Sequence, residues 1–423
     1  DHQITIISSE TEYFFSRTAL MYIYMGHMRT IDTQPYEPYF WKKNRIDLVQ
    51  DFVSQVDFEN KSLSLKSGSK MQYDKLILAV GSKSNKFGWP GQDLNGVAGL
   101  YTMQDLENME AYSNGLNRAV IVGGGLIGIE MAEMFRSRDI PVTILVREQS
   151  YWSNILPKEE SAMVTRHIKD HHIDLRLGFN LGEIVDDGKG KACGVIIKET
   201  EEKIDCGYVG LTAGVSPNTD FLKDTNLKIE KGITVNNNLE TNIPDVYAIG
   251  DCAQISEPMP GRRPIEAIWY TGRMMGEVVA YNVCGKAVSY DPGIWFNSAK
   301  FLDIEYQVYG DVLAKPADHH GTFYWEHSDG DKGIRLVYDV NDKTILGFNL
   351  MGIRFRHEVC EKWIKEKTNI DKVVEDLSLA NFDPEFYKQY EPEFIAAYNK
   401  QFGTSLKLKK KRKLDQVLKF LKA

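Results

Sequence analysis

Between residues 118 and 146 the chain reads RAVIVGGGLIGIEMAEMFRSRDIPVTILV, and the period of its apolar positions changes twice. The unbroken run AVIV suits a strand buried on both faces, a helix-period stretch follows a glycine turn, and a second unbroken run, VTILV, closes the segment. Two such strands joined by a helix within about 30 residues form a βαβ unit, whose right-handed crossover requires a parallel sheet.

Other segments are arranged around this unit. Residues 3–7 alternate apolar and polar and predict a strand that runs out toward Glu10. The first hundred residues read as short strands broken by polar turns, with YDKLILAVGS (residues 73–82) the clearest strand and GWPGQDLNG (residues 88–96) a Pro/Gly-rich crossing. Short strands return over residues 173–212, two of them joined by the turn at 186–191, and PDVYAIGDCAQ (residues 244–254) predicts a buried strand ending in Gly-Asp. Residues 262–285 read as a helix, residues after 292 as aromatic-rich strands to about Met351, and the remainder as mostly helical. These shifts predict boundaries at 1–103, 104–231, 232–292 and 293–423.

Composition narrows the classes. Hydrophobic residues at 43% and charged ones at 26% are ordinary for a globular protein. No apolar run approaches the ~20 residues of a membrane span and no charged-then-apolar leader opens the chain, so the expected compartment is the cytoplasm. Five scattered cysteines show neither paired nor metal-ligand spacing, and no metal is expected. The net charge of −8 conceals a basic end, where residues 406–423 carry seven Lys and one Arg against one Asp. That run reads as a solvated helix face or a docking tail; with no aromatic platform beside it, nucleic acid is not an expected partner.

The chemistry sits at the glycine turn. Gly123, Gly125 and Gly128 form G-x-G-x-x-G between strand and helix. The first glycine permits the turn, the second admits a pyrophosphate to the backbone, and the third lets helix and strand pack closely. At the end of the second strand, where an acid would hold the ribose of NADH, stands Val146, followed by Arg147 and Glu148. The apolar residue and Arg147 favour the 2′-phosphate of NADPH, a one-residue shift to Glu148 favours NADH, and Arg147 as a plain surface residue is the third reading. Asp251, at the end of the Gly-Asp strand, is a candidate acceptor for a polyol hydroxyl.

The succession of YDKLILAVGS, the glycine fingerprint, LTAGVSPN (residues 211–218) and TNIPDVYAIGDCA (residues 241–253) resembles the pyridine nucleotide-disulphide oxidoreductase superfamily, over residues 1 to about 310. The resemblance implies an α/β fold with two Rossmann-like domains, one for FAD and one for NAD(P) inserted in it, plus an α+β C-terminal domain with a helical extension. It implies FAD contacts at Glu10, Val53, Ala79, Gly81 and Asp251. Nicotinamide-nucleotide contacts are implied at Gly123, Gly125, Gly128, Gly214 and Arg147, with Glu130 facing nicotinamide and flavin. It also implies a strand, glycine turn and helix ahead of the opening strand, so flavin retention by these residues alone stays open.

Where disulphide reductases of the superfamily carry a redox cysteine, FFSRTALMYIYMG (residues 14–26) has Arg17. That resembles the rubredoxin and ferredoxin reductases, nitrite reductase flavin domains and apoptosis-inducing factor. Arg17 is then either a cation near the flavin or a structural salt bridge. Glu266, Trp269 and Tyr270 are flavin-lining candidates, or core. Asn297, Ser298 and Ala299 depart from the Trp-Ser-Asp pattern of the interface domain, Cys252 is expected to pack behind Asp251, and His357 and Cys360 are expected to pack on a helix. The implied function is an NAD(P)H-dependent FAD oxidoreductase. Its acceptor is a small redox protein first, a small molecule such as quinone or dioxygen next, and a homodimer stays open. The alternatives are a non-catalytic scaffold acting through the C-terminal extension, and an NAD(P)H oxidase.

Overall fold

The computed structural model describes residues 2–383, 386 and 388–409, so most of the basic run at 406–423 lies outside the described residues. The chain forms two compact units, one of residues up to Tyr151 together with Ile168–Gly293, the other of Trp152–His167 together with the residues from Ile294 on.

The βαβ unit of the first is as expected: strand Ala119–Val122, helix Leu126–Arg136, strand Val142–Val146. Both strands are buried throughout, which is why their sequences do not alternate. They lie at the centre of a five-stranded parallel sheet in the order Asp174–Leu177, Val142–Val146, Ala119–Val122, Tyr208–Leu211, Val97–Ala98. The last strand comes from ahead of residue 104, where the sequence places the domain boundary. An antiparallel sheet of Leu181–Asp186, Ala192–Ile197 and Lys203–Asp205 follows, with the turn at 186–191 in its expected place.

Around this, parallel pairs form between Ile4–Ser8 and Ile46–Gln50, between Leu76–Leu78 and Val246–Ala248, and between Ile233–Val235 and Ala253–Ile255. The opening strand therefore lies beside residues 46–50. Two short helices, Leu20–Tyr24 and Pro38–Lys43, interrupt a region read from the sequence as strands. An antiparallel ribbon of Ser82–Ser84 and Val215–Pro217 ties the segment after Leu76–Leu78 to the one after Tyr208–Leu211. The helix expected over 262–285 is shorter, Trp269–Val283. The residue before its first turn, Ile268, is extended at φ −137°.

The second unit is an antiparallel sheet in the order Phe296–Phe301, Ile304–Gly310, Ile345–Met351, Gly333–Asp339, His320–Glu326. Helices His357–Lys365, Ile370–Glu375 and Glu391–Phe402 contribute Trp363, Val373, Phe394 and Tyr398 to its core. Cys360 is fully buried there, as expected of a packing residue. At the buried face of the sheet Arg335 forks onto Glu160, Nε to Oε1 at 2.7 Å and Nη2 to Oε2 at 2.8 Å, and Asn349 donates to the same carboxylate at 3.1 Å. Among the described residues, no helix is long and apolar enough to cross a membrane.

Candidate active site

Four side chains far apart in sequence meet in the first unit. Glu10, just past the opening strand, receives Arg17 bidentately, Nη1 to Oε1 at 2.9 Å and Nη2 to Oε2 at 2.6 Å. It also accepts the Met103 N–H at 2.7 Å, at the start of helix Met103–Ser113. Negative charge is favourable there, because the first-turn amides have no partner inside the helix. Arg17 donates further to the Tyr101 carbonyl, and its guanidinium lies 4.8 Å from the Tyr101 ring centroid. Burial works against the arginine charge, but the Glu10 carboxylate outweighs it and holds the guanidinium above its ordinary pKa.

Tyr101 extends the chain of contacts to the other sheet. Its hydroxyl donates to Asp251 Oδ2 at 3.0 Å and accepts from the Ser82 N–H at 2.9 Å. Burial, then the charge of Asp251, push the phenol up to about 12. Burial also pushes Asp251 up, while the Tyr101 hydroxyl and the Arg17 charge pull the other way. The sequence gives no direct sign of Tyr101, although the capping box Thr102–Asp105 fixes it at the position before the helix cap.

Gly250 has φ +69° and no atom within 4 Å of where a Cβ would stand, so the backbone before Asp251 is open to a ligand. Gly81, at φ +64°, has the Tyr101 hydroxyl 2.8 Å from its would-be Cβ. A shallow, open depression lies at the carboxyl ends of Ile4–Ser8 and Ile46–Gln50, lined by Ser9, Gln50, Asp51, Phe52, Ser54 and Lys66. Val53 sits between two of these lining residues, and open α/β sheets bind ligands at this end of their strands. Ala79 is exposed just past Leu76–Leu78.

The glycine turn divides its work as the fingerprint requires. A Cβ on Gly123, at φ +128°, would meet the Thr212 carbonyl oxygen at 2.6 Å, and one on Gly128 would meet the Gly123 carbonyl oxygen at 2.5 Å. Gly125 caps the helix and faces open space, leaving the first-turn amides accessible to an anion. Tyr151 donates to its carbonyl at 2.8 Å. Glu130 lies half-buried on the same helix; burial and then its charge raise the Tyr151 phenol. Gly214, at φ +90°, begins the ribbon, and its carbonyl accepts the Asn85 N–H at 3.0 Å. The path from Gly123 through Thr212 and Gly214 to Ser82, Tyr101 and Asp251 stays inside one unit.

Several sequence readings are narrowed. Of the two readings of Arg17, the structure has the salt bridge: its guanidinium is committed to Glu10, the residue that the resemblance implied as a flavin contact. Glu266, read as a flavin-lining candidate or as core, is buried with both carboxylate oxygens taken by Arg262, at 2.7 and 2.5 Å, and each side chain is under a tenth exposed. Arg147 is exposed and donates to Glu148 at 2.7 Å, so the two candidates for the adenosine ribose are bonded to each other. Cys252 packs as expected: fully buried, its thiol is pushed up to about 11 by burial and donates to the Ile249 carbonyl.

A family model for pyridine nucleotide-disulphide oxidoreductases matches residues 1–276. The NADH-rubredoxin oxidoreductase of Clostridium acetobutylicum is 32% identical over 288 residues, 68% of this chain and 70% of that one. The NADH oxidase of Methanocaldococcus jannaschii is 28% identical over 315 residues, 72% of this chain and 69% of that one. The fold superposes on the NAD-dependent persulfide reductase from A. fulgidus with a TM-score of 0.81 at 22% identity, covering 95% of this chain and 80% of that one. The chain belongs to the pyridine nucleotide-disulphide oxidoreductase family.

Proposed function

We propose that this protein is an NAD(P)H-dependent FAD oxidoreductase that passes electrons to a small redox protein. The observation that carries the reading is the pairing, in one unit, of an open glycine turn with a half-buried Asp251 site, joined by the ribbon Ser82–Ser84 and Val215–Pro217. A flavin supplies the step between a two-electron hydride donor and an acceptor that takes its electrons separately. Amides at the Gly125 cap would hold the nicotinamide dinucleotide, and Asp251, oriented by Tyr101, would accept from the flavin's polyol chain. With its phenol near 12, Tyr101 keeps its proton at neutral pH and remains a donor to Asp251. Arg17, fixed by Glu10, supplies a permanent positive charge on the same cluster. The buried, protonated Cys252 is unsuited to a thiol relay. The C. acetobutylicum relative, named for rubredoxin, supports a small protein acceptor.

The test is anaerobic titration of the FAD-reconstituted protein with NADH and with NADPH. The flavin's visible absorbance should bleach with one equivalent of at least one of them and return on adding an oxidised one-electron acceptor. A flavin that neither nucleotide bleaches refutes the proposal.

The Arg147–Glu148 pair should set the nucleotide preference. Glu148→Gln is expected to raise KM for NADH several-fold, and Arg147→Ala to raise KM for NADPH, with kcat little changed; steady-state kinetics with both nucleotides decides it.

A further inference from the structure

We propose that the segment between the strands Ile4–Ser8 and Ile46–Gln50 is the docking surface for the electron acceptor, and that its occupant is a small acidic carrier protein. The proposal rests on the oxidoreductase reading and names the partner of that site. Within twelve residues, Met28, Ile31, Tyr36 and Tyr39 are all exposed, Ile31 by 57% and Tyr39 by 68%. Four large apolar side chains left exposed in one short segment make that segment a candidate interaction site.

The cluster is built rigidly. Tyr36 stacks on Phe40 with ring centroids 4.1 Å apart, and both rings meet the edge of Trp41, which is buried beneath them. Aromatic side chains fixed in this way lose little freedom on binding and make effective anchors. The segment is also tied to the candidate active site, because the Ser16 N–H, one residue before Arg17, donates to the Thr33 carbonyl at 2.8 Å.

Charge selects the partner. The chain has a net charge of −8, yet residues 26–45 hold four Lys and Arg against two carboxylates, with Lys42 and Lys43 exposed beside the aromatic group. A basic, aromatic patch attracts an acidic carrier and steers its approach.

The test compares two acceptors in the holoprotein: an acidic rubredoxin, which must dock, and ferricyanide, which need not. The variants are Lys42→Glu with Lys43→Glu, and Ile31→Ser with Tyr39→Ser; all four positions are exposed, so folding is spared. Each pair should raise KM for rubredoxin at least ten-fold at low salt and leave the ferricyanide rate unchanged, and rising ionic strength should reproduce the charge-reversal effect in the wild type. An unchanged KM for rubredoxin overturns the proposal. So does a wild-type dimer that the same variants split into monomers, since a second copy would then be the occupant. If the wild type reduces neither acceptor, the oxidoreductase reading itself fails, and this inference falls with it.

Discussion

Arg335→Met should cost the C-terminal unit about 3–5 kcal/mol, the usual penalty for leaving one partner of a buried ion pair alone. Glu160 is fully buried, and with the guanidinium removed its carboxylate keeps only the Asn349 amide, at 3.1 Å. Arg335 also lies over the Tyr324 ring, 4.8 Å from its centroid, so methionine gives up a second favourable contact. Pairing Arg335→Met with Glu160→Leu should recover part of the loss, because an apolar pair of similar volume needs no counter-charge but leaves the buried Asn349 amide without its acceptor. Urea unfolding followed by tryptophan fluorescence measures both proteins. A single variant within about 1 kcal/mol of the wild type would show that water reaches Glu160, contrary to its burial.

Gly125→Ala should raise KM for the nicotinamide nucleotide ten-fold or more, a loss of about 1.4 kcal/mol or greater, while leaving the fold almost untouched. The backbone there has φ −106°, which alanine adopts freely, and the added methyl meets no protein atom within 4 Å. Stability should fall by about 1 kcal/mol or less, the usual difference at a helix cap. Only a ligand lying against the turn makes the methyl costly. Gly123→Ala is the control, because its Cβ would stand 2.6 Å from a carbonyl oxygen at φ +128°, so both binding and stability should drop. Thermal melts beside steady-state KM values separate the two cases. Equal binding by the wild type and Gly125→Ala would remove the pyrophosphate from this turn.

The parts readable in advance were those with a local cause. Gly123, Gly125 and Gly128 stand out by their spacing within six residues, two of them packed against backbone oxygens, and the short apolar runs on either side suit strands buried on both faces. Asp251 stood out through the order of the segments around it, since a strand ending in Gly-Asp taken alone is usually just a turn. Tyr101 was not, because its importance comes from Arg17 and Asp251, 84 and 150 residues away, and no spacing encodes such a meeting. Glu160 was hidden among the acids that ordinarily open a helix. The pairing of Arg17 with Glu10 turns on the fold that brings a turn back to a strand end, so sequence alone left the cation's partner open.

The second unit takes Trp152–His167 from the middle of the chain, and this governs how the protein can be dissected. A gene fragment starting at Ile294 would encode Arg335 without Glu160, the acid it is folded around. Recombination between relatives faces the same condition: a crossover between residues 168 and 293 would match one parent's Glu160 with the other's sheet, so these two stretches must be inherited together.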